Sequence, residues 1–121
     1  MEYASYQVIE SKLASGVSYT IAKMSFGRRV ELTRRIRELA LRKEFLDAGE
    51  SPDEKMEAAL LASEIDRLYL LWGLKEVGGL EVDGQAATPE SLAANGPEGL
   101  FREALAAVKE QCGLSETERK N

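Results

Sequence analysis

A chain of 121 residues with 44% apolar and 31% charged side chains suits one domain, and its formal charge of −5 repels polyanions at long range. With no histidine, it has no His-based metal site, no Cys-His nucleophile pair and none of the side chain most used for proton transfer near neutral pH. The single cysteine excludes an internal disulfide, no apolar run approaches the roughly 20 residues of a bilayer span, and MEYASYQVIE lacks the pattern of an export signal, so a cytoplasmic protein is expected.

Gln7 to Leu13 and Val17 to Lys23 predict two strands joined by Ala14-Ser15-Gly16, whose glycine suits a bulged hairpin turn. In the second strand Val17, Tyr19 and Ile21 alternate with Ser18, Thr20 and Ala22, the period of a strand with one buried face. Ser25 then offers an N-cap hydroxyl, and Phe26 to about Asp47 are mostly strong helix formers. Leu32, Ile36, Leu39 and Leu46 line one face of that helix while Val30, Leu41 and Phe45 line another, which implies contacts on two sides. Gly49 is placed to end the helix in the left-handed conformation.

Ser51-Pro52-Asp53-Glu54 is a capping box with proline at the first helical position, so a second long helix starts there. Its apolar stripe is Leu61, Ile65, Leu68 and Trp72, with Met56, Leu60 and Leu71 on a neighbouring strip, and Trp72 reads as a core anchor. The short connection predicts an antiparallel helical hairpin. Gly73, Gly78 and Gly79 then break the helix, and Leu80 to Ala86 reads as a small hairpin around an Asp83-Gly84 type I′ turn. Thr88-Pro89-Glu90 starts a brief helix through Leu92, and Pro97 starts another with Leu100, Phe101, Ala104, Leu105, Val108 and Cys112 on its apolar face. Cys112 reads as a small core residue, Gly113 ends the helix, and Ser115 to Asn121 reads as a frayed or partner-dependent tail despite a capping-box pattern at Ser115 and Glu118. The expected fold is α+β, mainly α, in one domain: a β-hairpin over 1–24, a helical hairpin over 25–76, a small hairpin plus helices over 77–113 and a flexible tail over 114–121.

Charge is concentrated in one place. Lys23 to Lys43 holds eight bases and two acids, a local +6 within a remainder of −11. Clustered arginines are the footprint of a phosphate binder, yet these spread around the helix, and the next helix carries Asp53, Glu54, Glu57, Glu64 and Asp66 against Lys55 and Arg67. That distribution favours ion pairing within the protein or between subunits, then a protein partner, with nucleic acid behind both. Phe26, Arg28, Arg29, Arg35 and Arg42 are the candidate residues for contact with another subunit or a client. The acids at Asp53/Glu54/Glu57 and Glu81/Asp83 sit where the helix dipole and turn geometry favour them, and Gly27 and Gly78-Gly79 lack phosphate-loop spacing. No catalytic residue, metal site or cofactor is assigned, and no membrane association is expected.

Several segments, taken in order, resemble the tail assembly chaperones of long-tailed bacteriophages and prophages. They are KMSFGRRVELTRRIREL at Lys23 to Leu39, Leu60 to Trp72 with Gly73-Leu74, and the Gly79 to Gly84 turn leading into Thr88-Pro89-Glu90-Ser91-Leu92. The last is Cys112-Gly113-Leu114-Ser115 to Lys120-Asn121. The resemblance spans most of the chain and implies a non-enzymatic protein of the bacterial host cytoplasm. Such chaperones coat the long helical tape measure protein, keep it soluble and recruit tail tube subunits. It also implies a homo-oligomer and a longer form made by ribosomal frameshifting, with which Lys120-Asn121 is compatible. The alternative is a small nucleic-acid-binding or regulatory protein that uses the arginine-rich helix 26–47.

Overall fold

The structure is a computed structural model that describes residues 1–113, in the α+β class expected. Its chain divides into two compact units, Met1–Met24 together with the segment from Leu70 onward, and Ser25–Tyr69.

The first unit is built on a three-stranded antiparallel sheet of β1 (Tyr6–Glu10), β2 (Ser18–Ala22) and β3 (Leu74–Gly78), with β2 in the middle. Tyr6 faces Ala22 and Glu10 faces Ser18 across the first pair, and Tyr19 faces Val77 across the second. Val17, Tyr19 and Ile21 are buried, as their alternation requires. The hairpin loop is longer than Ala14-Ser15-Gly16. β1 stops at Glu10 because the Ser11 hydroxyl accepts the backbone N–H groups of Leu13 and Ala14, at 3.1 and 3.0 Å, and curls the chain out of the strand. The Ser11 amide still donates to the Val17 carbonyl at 2.8 Å, and Gly16 turns the chain at φ +84°.

β3 corrects the expected helical hairpin over 25–76, whose last residues are strand. Helix α2 runs through Gly73, and the chain enters β3 at Leu74 with no intervening loop. Leu74 and Val77 are both buried although three residues apart, because the β2–β3 register slips between Thr20 and Ile21. Gly79, at φ +73°, follows the strand, and a Cβ there would run into the Gly16 carbonyl, so the two loops meet backbone to backbone.

Beyond the sheet, β4 (Glu81–Val82) and β5 (Gln85–Ala86) form the expected hairpin, with Asp83 and Gly84 at φ 53° and 80° as a type I′ turn demands. Helix α3 (Pro89–Asn95) begins with a reciprocal Thr88/Ser91 capping box and runs past Leu92. Helix α4 (Glu98–Gln111) has Pro97 at its N-cap, buries Leu100, Ala104, Leu105 and Val108, and stops at Gly113 with φ +76°. Trp72 and Cys112 are buried, as read from the sequence. Gly73 lies against Val108 so closely that a Cβ would overlap its methyl groups. The expected tail, Ser115 to Asn121, lies outside the described residues.

The second unit is a helical hairpin. α1 (Phe26–Asp47) has the bounds its composition set, with the Ser25 hydroxyl accepting the Arg28 amide at 3.2 Å. α2 (Pro52–Gly73), whose last turn belongs to the first unit, opens with the anticipated box. Glu54 N–H donates to the Ser51 hydroxyl at 3.1 Å, and the Glu54 carboxylate accepts from that hydroxyl at 2.9 Å. Gly49 does not adopt the left-handed conformation: Ala48 is the C-cap in ordinary helical geometry. The glycine serves a different need, since a Cβ at position 49 would collide with the Glu54 carboxylate that completes the box. Leu32, Ala58 and Leu61 are buried, and Ile36, Leu39, Leu46, Ile65 and Leu68 are half-buried beside them in sequence pattern.

Candidate interaction surface

At 3.6 residues per turn, Phe26, Val30, Arg34, Arg37, Leu41 and Phe45 share one face of α1, opposite the face of Leu32, Ile36 and Leu39. The two apolar stripes therefore have different fates. The Leu32 stripe is buried or half-buried, whereas Phe26 is 86% exposed, Phe45 76% and Leu41 56%, with Val30 also open. Covering a side chain of this size is worth about 1.5–3 kcal/mol, so the outer stripe is a surface that gains by finding a partner. Met56 and Leu60 of α2 are open as well. Near the start of α1, Phe26, Arg29, Val30, Thr33 and Arg34 line a shallow concavity of about 320 Å3. The Thr33 hydroxyl donates back to the Arg29 carbonyl at 2.8 Å, so its polar capacity is partly used within the helix.

The five candidate residues are not brought together. Phe26 and Arg29 line the concavity. Arg28 is half-buried and falls on the side of Leu39 and Leu46. Arg35 points away from the outer stripe and pairs with Glu31 along its own helix at 3.1 Å. Arg42 is exposed and shares the side of Arg35. In place of Arg28, Arg35 and Arg42, the open face carries Arg34 and Arg37, which the sequence reading did not single out. The signal was present in the spacing, because 30, 34, 37, 41 and 45 repeat at four, three, four and four residues. Lys43 also pairs within α1, to Asp47 at 2.6 Å, and such exposed pairs are worth only about 0.3–0.5 kcal/mol each.

A second cluster, in the first unit, is polar and internally satisfied. The Glu103 carboxylate of α4 accepts from the Ser11 hydroxyl at 2.6 Å, the Tyr19 hydroxyl at 2.8 Å and the Lys12 amide at 2.9 Å. Burial raises the Glu103 pKa, but the hydrogen bonds from Ser11, the Lys12 amide and Tyr19 outweigh it and hold the carboxyl below its ordinary value of 4.5. Tyr19 is pushed up to about 12, chiefly by burial and then by its bond to Glu103. By accepting from these three donors, this carboxylate fastens α4 to the β1–β2 loop and to β2. A shallow concavity of about 200 Å3 beside it is lined by Glu10, Lys12, Tyr19, Glu103 and Glu110, and another of about 290 Å3 by Leu92, Phe101 and Arg102. Among the described residues, no three Cys, Asp or Glu side chains are grouped to hold a metal ion, and no helix is long and apolar enough to cross a membrane. Compared with known proteins, the chain matches no family model, no curated protein and no solved structure.

Proposed function

We propose that this protein is a tail assembly chaperone of a long-tailed bacteriophage or prophage. In this reading it binds the tape measure protein, keeps it soluble in the host cytoplasm and aids assembly of the tail tube around it, without catalysis. The observation that carries the reading is the open face of α1, where Phe26 and Val30 on one side and Leu41 and Phe45 on the other enclose Arg34 and Arg37. That face begins in the segment Lys23 to Leu39 on which the resemblance to these chaperones is strongest. A long helix with one packed and one open stripe offers a helical client the groove-and-ridge contact used in helix recognition. Further copies of the chain have Met56 and Leu60 to share.

The alternative use of the same arginines, binding nucleic acid, is less well supported, since apolar side chains at both ends bound the two cations of the open stripe and the chain carries −5. Co-expression with an otherwise insoluble tape measure protein tests the proposal. Recovery of a soluble complex is expected. A tape measure protein that stays in the pellet, together with salt-dependent retardation of DNA by the purified chain, would transfer the function to the alternative.

A further inference from the structure

The charge on the open face of α1 specifies what kind of helix it takes, an inference that rests on the chaperone reading for the face being a docking site at all. From Phe26 to Phe45 the stripe runs about 28 Å, a little over five turns. At a helix width of about 10 Å its footprint is roughly a third of the 800 Å2 that each partner buries in a stable protein complex. The face therefore suits one helix better than a whole second subunit. Arg34 and Arg37 sit inside the stripe between Val30 and Leu41, and Arg29 flanks its N-terminal end. Glu38, at the edge of the stripe beyond Arg34 and Arg37, and Glu44, near Phe45, are the acids on the same side. A helix laid along this face with lysines beside its apolar stripe would bring like charges together over the N-terminal two thirds, whereas carboxylates there would meet guanidinium groups.

We propose that the outer face of α1 binds a single amphipathic client helix whose apolar stripe is flanked by carboxylates. One apolar side chain of that helix seats in the concavity lined by Phe26, Arg29, Val30, Thr33 and Arg34, and its acids lie opposite Arg34 and Arg37. The same arrangement excludes basic amphipathic helices, so selectivity comes from repulsion as much as from contact.

Three labelled synthetic helical peptides of 22 residues, on the order of the length of the stripe, test this. They share one leucine stripe and differ only in its flanks, glutamate, glutamine or lysine. In fluorescence anisotropy against the full chain, the glutamate peptide is expected to bind about tenfold tighter than the glutamine peptide, with the lysine peptide weakest. The double variant Arg34→Glu, Arg37→Glu should reverse the order of the glutamate and lysine peptides, and Phe45→Ser should weaken all three, with far-UV circular dichroism unchanged. Equal binding of the three peptides overturns the acid preference while leaving the chaperone reading intact. Binding of none overturns the inference outright, and tape measure co-expression then decides the chaperone reading separately. A dimer in sedimentation that the arginine double variant dissociates also overturns it, because the face would then be an interface between copies.

Discussion

The carboxylate of Glu103 accepts from Ser11, Lys12 and Tyr19, so one side chain of α4 fixes both the β1–β2 loop and the centre of β2. Glu103→Ala leaves the buried Tyr19 hydroxyl and the Ser11 hydroxyl without their acceptor, and a loss of roughly 2–3 kcal/mol in urea unfolding is expected at pH 7. The pH dependence follows from the direction of the shift. Because the folded pKa lies below the unfolded one, the contribution is full above the ordinary carboxylate range and is lost as pH falls through the depressed folded value. The gap between wild type and Glu103→Gln should therefore be constant near neutrality and close in acid. Tyr19 acts on the other side, since its raised pKa of about 12 removes stability only as pH climbs above 10. Gly73 is a second sensitive residue: Gly73→Ala drives a methyl into Val108 and should cost about 1–3 kcal/mol, read as a lowered urea midpoint at unchanged slope.

Among the elements, α1 in the proposed role separates folding from client binding on its two faces. Phe26 and Phe45 contribute almost nothing to the packed interior, so Phe26→Ser with Phe45→Ser should shift stability by no more than about 0.5 kcal/mol in thermal unfolding. A large loss would mean that the outer stripe is packed in solution. The bounds of α1, the Ser51/Glu54 box and the Asp83-Gly84 turn were all legible in the sequence, because each is written in local chemistry: a cap hydroxyl, a proline at the first turn, a residue pair that tolerates positive φ. β3 was not. Leu74 and Val77 share a face only because β3 carries an extra residue, Lys75, where Thr20 pairs with Glu76 and Ile21 with Leu74, and nothing in LKEVG marks that irregularity. Gly49 misled for a related reason, as its need for empty space came from Glu54 and not from its own backbone. At the candidate surface, both stripes of α1 could be read but not which one stays open, since a pattern of apolar residues does not say which face the fold covers.

At the scale of the whole molecule, the helical excursion Ser25–Tyr69 leaves the first unit between β2 and β3, two strands that pair directly. Ile21 stands opposite Leu74, so the ends to which the excursion is attached are neighbours in the ladder. Replacing Ser25–Tyr69 by a short glycine-serine linker should leave a folded sheet, with Trp72 still emitting as a buried indole. A red-shifted emission would show instead that the first unit needs the helical hairpin to fold. The charge cuts across this division, with the basic segment confined to Lys23–Lys43 while the remainder of the chain, the start of α2 in the same unit included, is acidic. The central claim is that the outer face of α1 holds the client, and co-expression of the tape measure protein with Phe26→Ser, Phe45→Ser protein measures it most directly. The account predicts a soluble, folded variant that leaves the tape measure protein in the pellet while the wild type brings it into solution. Equal recovery by both would contradict it.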